Sequence, residues 1–201
     1  MGGNLCVHYA AYCAARSAIV QIPLDVSDDE PANVLEDSYR SAKLRRVRRA
    51  ALWAVMPVCS PSPLLETDPR GQALAEGLDE FFATYRQTPP GWVAGGYLAR
   101  KFAYADRCTD VTMMQRVDPA EETVEYIELA YPYTYTEHEE IRVEVDHVFY
   151  LAVPYAARIF AAFDGGTDLD LGAGQYGLEI RASCSMTNEG ARDYIEVETF
   201  D

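Results

Sequence analysis

The sequence predicts an α+β fold, with long N-terminal helices followed by an antiparallel sheet of about four to five strands. Three observations lead there. Over roughly the first hundred residues, apolar positions recur at three- and four-residue steps between proline-rich breaks. From about Cys108 onward the pattern changes to apolar–polar alternation, the period of a half-buried strand. Helices first and strands later is the order that builds an antiparallel sheet rather than a βαβ array. The 201 residues suit one domain, or a helical segment plus one domain. The expected division is a helical stalk and second helix over 1–63 and an α+β head over 64–201, with one continuous domain as the alternative.

Residues 4–20 hold no helix breaker and are crowded with alanine, the best helix former. Cys6, Tyr9 or Ala10, Cys13, Ser17 and Val20 mark one face, and Ala10, Ala11, Ala14, Ala15 and Ala18 would let another backbone come close. Pro23 ends the segment. A second helix is expected from Ala32 to Met56, with Leu44, Val47, Ala51 and Val55 inward and Arg45, Arg46 and Arg49 outward. Pro57, Pro61 and Pro63 stop it. Asp68-Pro69 reads as an N-cap followed by proline at the first helical position, opening a third helix to about Tyr85. A shorter helix over Trp92–Ala105 is weakened by Gly95-Gly96.

Strands follow. Val111, Met113, Gln115 and Val117 alternate with polar neighbours, and Glu125–Tyr131 continues as a mixed strand. The clearest strand is Ile141–Val153, with Ile141, Val143, Val145, His147, Phe149, Leu151 and Val153 on one face. A helical piece over Ala156–Phe163, a glycine-rich loop over Asp164–Gly177, a strand from Leu178 to Met186 and a terminal strand over Tyr194–Phe200 complete the reading.

A hydrophobic share of 49%, with 14 Tyr and 7 Phe, can fill a packed core. The net charge of −15 repels a phosphate backbone, which argues against nucleic acid as a partner. No stretch reaches the ~20 apolar residues that span a bilayer; Leu5–Val20 comes nearest and contains His8 and Arg16. The abrupt opening is expected to follow a segment that this sequence does not contain.

No motif commits the chain to a reaction or a cofactor. Gly172-Ala173-Gly174-Gln175-Tyr176-Gly177 matches GxGxxG, but a strand pattern follows it and no βαβ unit fits, so a loop is expected. Asp164, Asp168 and Asp170 could offer oxygens to calcium, yet the EF-hand spacing and its closing Glu are missing, so a solvated turn is the plainer reading. His147 with Cys184 is a conceivable base and nucleophile, although both fall on core-facing positions. Lys43-Leu44-Arg45-Arg46-Val47-Arg48-Arg49 reads as the wet face of a helix, with an acidic partner or anionic lipid as the other possibility. Cys6, Cys13, Cys59, Cys108 and Cys184 show no zinc spacing. They allow two disulfides and one thiol, or five thiols.

Several segments carry a resemblance. Tyr9-Ala10-Ala11-Tyr12 with the run 14–20 resembles the helix that leaves the membrane in TadE-like proteins, the pilin-like components of tight-adherence pili. The run 50–61, alanine-rich and closing on prolines, is similar to the end of that family's second helix. Phe102-Ala103-Tyr104-Ala105 with Thr109, Val111 and Thr112 looks like its helix-to-strand junction. Val153-Pro154 and the run 181–190 are similar too. The order of these segments covers most of the chain, whereas the family's transmembrane helix and prepilin-peptidase site are not in this sequence.

The resemblance implies a non-catalytic minor pilin or pilin-like assembly component, outside the cytoplasm and anchored to the inner membrane through a segment absent here. Its partners would be other pilin-like subunits, met through the alanine face of the first helix. Some cysteines would then be expected to pair: Cys108 with Cys184 first, Cys13 with Cys59 second. The alternatives are an extracytoplasmic α+β ligand-binding or adhesion module using the aromatic stretch Tyr126–Tyr135, and a cysteine/histidine hydrolase.

Overall fold

The structure, a computed structural model, describes residues 2–27, 30–37, 41–117, 124–150, 167–168 and 176–189. Helix α1 covers Gly2–Gln21, strand β1 Val34–Leu35 and helix α2 Ala42–Val55. Two single 3-10 turns, Met56–Val58 and Pro63–Leu65, lead to α3 (Pro69–Thr84), α4 (Gly91–Ala94) and α5 (Tyr97–Cys108). The strands are β2 (Thr109–Val117), β3 (Glu125–Glu128), β4 (Tyr133–Thr134), β5 (Glu140–Tyr150), β6 (Thr167–Asp168) and β7 (Tyr176–Thr187). Mixed helix and antiparallel sheet, with a helix first, is the α+β class that the sequence predicts. The main sheet runs in the order β3-β2-β5-β7-β6, and β1 pairs with β4 in a separate two-stranded ribbon.

Local chemistry explains most boundaries. Asp68 caps α3, its carboxylate accepting the Arg70 amide at 3.0 Å with proline next in line. The expected helix over Trp92–Ala105 is two helices, because Gly96 takes φ +66°, a left-handed backbone that glycine adopts without strain. Helix α5 passes straight into β2, with Thr109 already extended. Along β5, Ile141, Val143, Val145 and His147 are buried and alternate with half-buried neighbours, as expected.

The second helix is shorter than expected, 14 residues from Ala42 to Val55. It begins at Ala42, not Ala32. Residues 30–37 are instead drawn into turns and β1, with Asn33 at φ +62°. The cause is Lys43. Its side chain is fully buried, and its ammonium donates to the carbonyls of Ile22 (3.0 Å), Pro31 (2.6 Å) and Val34 (2.9 Å). The ammonium thus fastens the turns over 30–34, sharing the Ile22 and Pro31 carbonyls with the Asn33 and Val34 amides. Glu30 closes the arrangement by accepting the Ala42 amide at 2.9 Å, and Ser41 accepts the Leu44 amide at 3.0 Å, so the helix is capped at this point. Lys43 thus leaves the expected wet face. The inward stripe is Lys43, Val47, Ala51 and Val55, while Leu44 is half-buried.

Contacts group the chain into two units. One gathers Met1–Ala10, Ala51–Val111 and Val145–Ala182; the other Ala11–Ala50, Thr112–Glu144 and Ser183–Asp201. Each draws on three stretches of the chain. In the first unit α3 and α5 pack closely. A side chain on Gly71 would come within 2.6 Å of the Ala99 carbonyl oxygen. Two ion pairs hold the same helices, Arg107–Asp68 at 2.7 Å and Arg70–Asp106 at 3.0 Å. In the second unit a buried Asn188, just past β7, donates to the Thr136 carbonyl at 3.2 Å and to the Asn33 side chain at 3.4 Å, tying together the turns before β1 and after β4.

The expected helix over 156–163 and strand over 194–200 lie outside the described residues. So do Leu151 and Val153, most of the 172–177 glycine motif, and Asp164 and Asp170 of the calcium candidate. Asp168 falls in β6, paired with Tyr176. Among the described residues no group of His, Cys, Asp and Glu is arranged to hold a metal ion.

Candidate functional site

Three places could carry function: the faces of α1, the thiols and histidine of the core, and a polar cavity in the second unit. Helix α1 buries small apolar residues on one side and carries large apolar groups among the exposed Asn4, His8 and Arg16 on the other. Ala10, Ala11, Ala14, Ala15 and Ala18 are all 0% exposed, and Val7 joins them. The alanine face is therefore used inside the chain and is not available to another subunit, contrary to the sequence expectation. Near its start, Gly3 lies against Phe149 and Ile180, where an added side chain would stand 3.3 Å from the Phe149 ring. The opposite face carries large apolar groups. Leu5 is 72% exposed, Tyr9 56%, Tyr12 41% and Val20 55%. With exposed Arg16 they form one stripe at steps of four, three, four and four residues, the helical repeat. Surface helices usually turn their large apolar groups inward. This one turns alanine inward and leucine and tyrosine outward.

The hydrolase reading needs an activated thiol and a reachable base. His147 is 0% exposed, with Nδ1 2.9 Å from the Thr109 hydroxyl and no partner for Nε2. Burial lowers its pKa to about 4, with the Cys108 backbone pulling weakly the other way, so the ring is neutral. Burial also raises the Cys184 thiol, a shift that the nearby Arg142 only partly offsets. A raised thiol is a poorer nucleophile.

No disulfide is formed: all five cysteines are free. The two expected pairs, Cys108–Cys184 and Cys13–Cys59, are thus absent here. The buried Cys59, just past the Met56–Val58 turn, donates to the carbonyl of Val55 at the end of α2 at 3.5 Å, and burial pushes its pKa to about 12. Cys108, pushed to about 11, shares a hydrogen bond with Tyr104. The Tyr104 hydroxyl in turn donates to the Val148 carbonyl at 2.8 Å.

The cavity has a volume of about 430 Å³ and is lined from β2, β4 and the turn entering β5. Sequence reasoning singled out Tyr126–Tyr135 as aromatic but had no means to see a cavity. Tyr133 in β4 and Tyr135 just past it meet edge to face beside the cavity, their ring centroids 4.8 Å apart. Glu139 fixes the turn by accepting from Thr136 N at 2.7 Å, Thr136 Oγ1 at 3.0 Å and the Tyr133 hydroxyl. Glu140 accepts from the Tyr126 hydroxyl at 3.2 Å, and the Arg142 guanidinium lies 3.9 Å over the Tyr126 ring. Tyr135 is 3% exposed, and its hydroxyl has no protein partner. Burial raises both phenols, Tyr133 to about 12, so both stay protonated and able to donate.

No family model matches the chain, and neither a curated protein nor a solved structure matches it.

Proposed function

We propose that this chain is the folded body of a pilin-like assembly component, one that works outside the cytoplasm at the inner membrane by packing rather than by catalysis. The outward stripe of α1 carries the reading. Leu5, Tyr9, Tyr12 and Val20 repeat on one side of a 20-residue helix whose other side is filled by alanine. Such a stripe is what a second helix needs in order to lie alongside, and it extends for ~22 Å at 1.5 Å per residue. The occupant proposed is the N-terminal helix of another pilin-like subunit. The segment order that resembles TadE-like proteins supports this, as does the direct passage of α5 into β2 at Cys108–Thr109. The sealed His147 and the raised Cys184 supply no activated pair, which favours packing over chemistry.

The test is a double substitution, Leu5→Glu with Tyr9→Glu. Both positions are more than half exposed, so the purified chain should keep its melting temperature. In the cells it comes from, the variant should vanish from the sheared pilus or envelope-assembly fraction. Normal recovery in that fraction would refute the role.

A further inference from the structure

We propose that the outer edge of β3 takes up an extended segment of another protein, patterned basic–apolar–apolar–basic, as an added antiparallel strand. The site does not involve α1 and holds whether or not that helix docks. Among the described residues β3 is the outermost strand of its sheet, beside β2. The Leu129 amide donates to the Met113 carbonyl at 2.9 Å, which fixes Met113 and Leu129 as a hydrogen-bonded pair. Such pairs alternate along an antiparallel ladder, so the register makes Gln115 with Ile127 and Val117 with Glu125 the next ones. The main-chain groups of Tyr126 and Glu128 then point the other way, toward the outer edge. An edge of this kind is a template for a further strand. Lysine, proline and bulges are common guards of such edges, and Glu125-Tyr126-Ile127-Glu128, paired in unbroken register, has none of the three.

The side chains decide which strand fits. Glu125 and Glu128 are exposed at the two ends of β3, with Tyr126 and Ile127 between them. Alternation gives each face one carboxylate and one apolar group, Glu128 with Tyr126 on one side and Glu125 with Ile127 on the other. Ile127 is 50% exposed, and the exposed Val117 lies on its face, so apolar surface is left there for a partner to cover. Opposite charges directly across a ladder attract and like charges repel. The complement is therefore lysine or arginine opposite each glutamate, with apolar residues between. A second copy of β3 is the wrong occupant: paired antiparallel about its centre, it sets Glu125 against Glu128 twice, on a chain whose net charge is already −15. Tyr126 holds the strand ready. Its hydroxyl donates to Glu140 at 3.2 Å, and the Arg142 guanidinium lies 3.9 Å over its ring.

The experiment titrates the capped peptide Thr-Lys-Val-Val-Lys-Thr into the labelled full chain and follows backbone amide resonances. Saturable shifts centred on residues 124–128 are expected. Two further peptides separate strand addition from looser attraction. Methylating the backbone nitrogens of the first Lys and the second Val, which face Glu128 and Tyr126 in the antiparallel pairing, should abolish binding. Replacing both lysines by glutamate should abolish it too. Glu128→Lys turns one attraction into a repulsion and should weaken the lysine peptide about tenfold. The residue is exposed, so the variant should keep the parent's melting temperature. Should it fail to fold, Glu125→Lys serves instead, with the same loss expected. Four results would overturn the assignment: no saturable shift or shifts centred elsewhere, a methylated peptide that binds as tightly, a glutamate peptide that binds as tightly, or unchanged affinity in a folded variant.

Discussion

His147 shows how one buried side chain sets the response of the molecule to pH. Its unfolded ring titrates near 6.5 and its folded ring near 4. Between those values the unfolded chain takes up the extra proton, so stability falls as the solution is acidified and is fully present above pH 6.5. From pH 6.5 to 5 the loss should be about 2 kcal/mol. Urea denaturation at several pH values reads it directly, and His147→Gln should remove that slope. The inward position of His147 was legible in the alternation of β5, since a histidine between valine and phenylalanine at period two has nowhere else to go. Lys43 was not legible. It sits in a run of arginines that belong to solvent, and what buries it are three carbonyls up to 21 residues away. Tyr135 was visible as an aromatic but not as an orphaned hydroxyl, because that depends on which side chains fold around it.

At the scale of elements, α3 and α5 meet where only glycine fits. Gly71 is buried, and a methyl there would press on the Ala99 backbone and the Ala103 side chain of the facing helix. Backbone cannot give way as a flexible side chain can. Gly71→Ala should therefore cost about 2 kcal/mol despite alanine's better helix propensity, read as a drop in melting temperature. Gly77→Ala, on the same helix with nothing within 4 Å, is the control and should be neutral or stabilising. Element type and order were readable because they rest on short-range signals: Asp68-Pro69 for a start, Gly95-Gly96 for a break, alternation for strands. The start of α2 was not, since residues up to 37 are claimed by Lys43 and β1 before a helix can use them. The two-residue strands β1, β4 and β6 are too short to leave a period.

For the whole molecule, α1 is the point on which the account turns. The sequence marked the helix and its alanines correctly but assigned the alanine face to a partner, and the chain itself buries that face. Small residues allow close approach without saying whose backbone approaches. What remains outward is a stripe of large apolar groups on a chain whose net charge of −15 would otherwise keep copies apart. A partner that covers this stripe is the central claim. The most direct measurement places a photo-crosslinking residue at Tyr12 in intact cells, with Ala14 on the opposite face as control, and identifies the adduct by mass spectrometry. The account predicts a Tyr12 adduct with the N-terminal helix of another pilin-like subunit and none from Ala14. An unlinked Tyr12, or an adduct with a protein lacking such a helix, would contradict it.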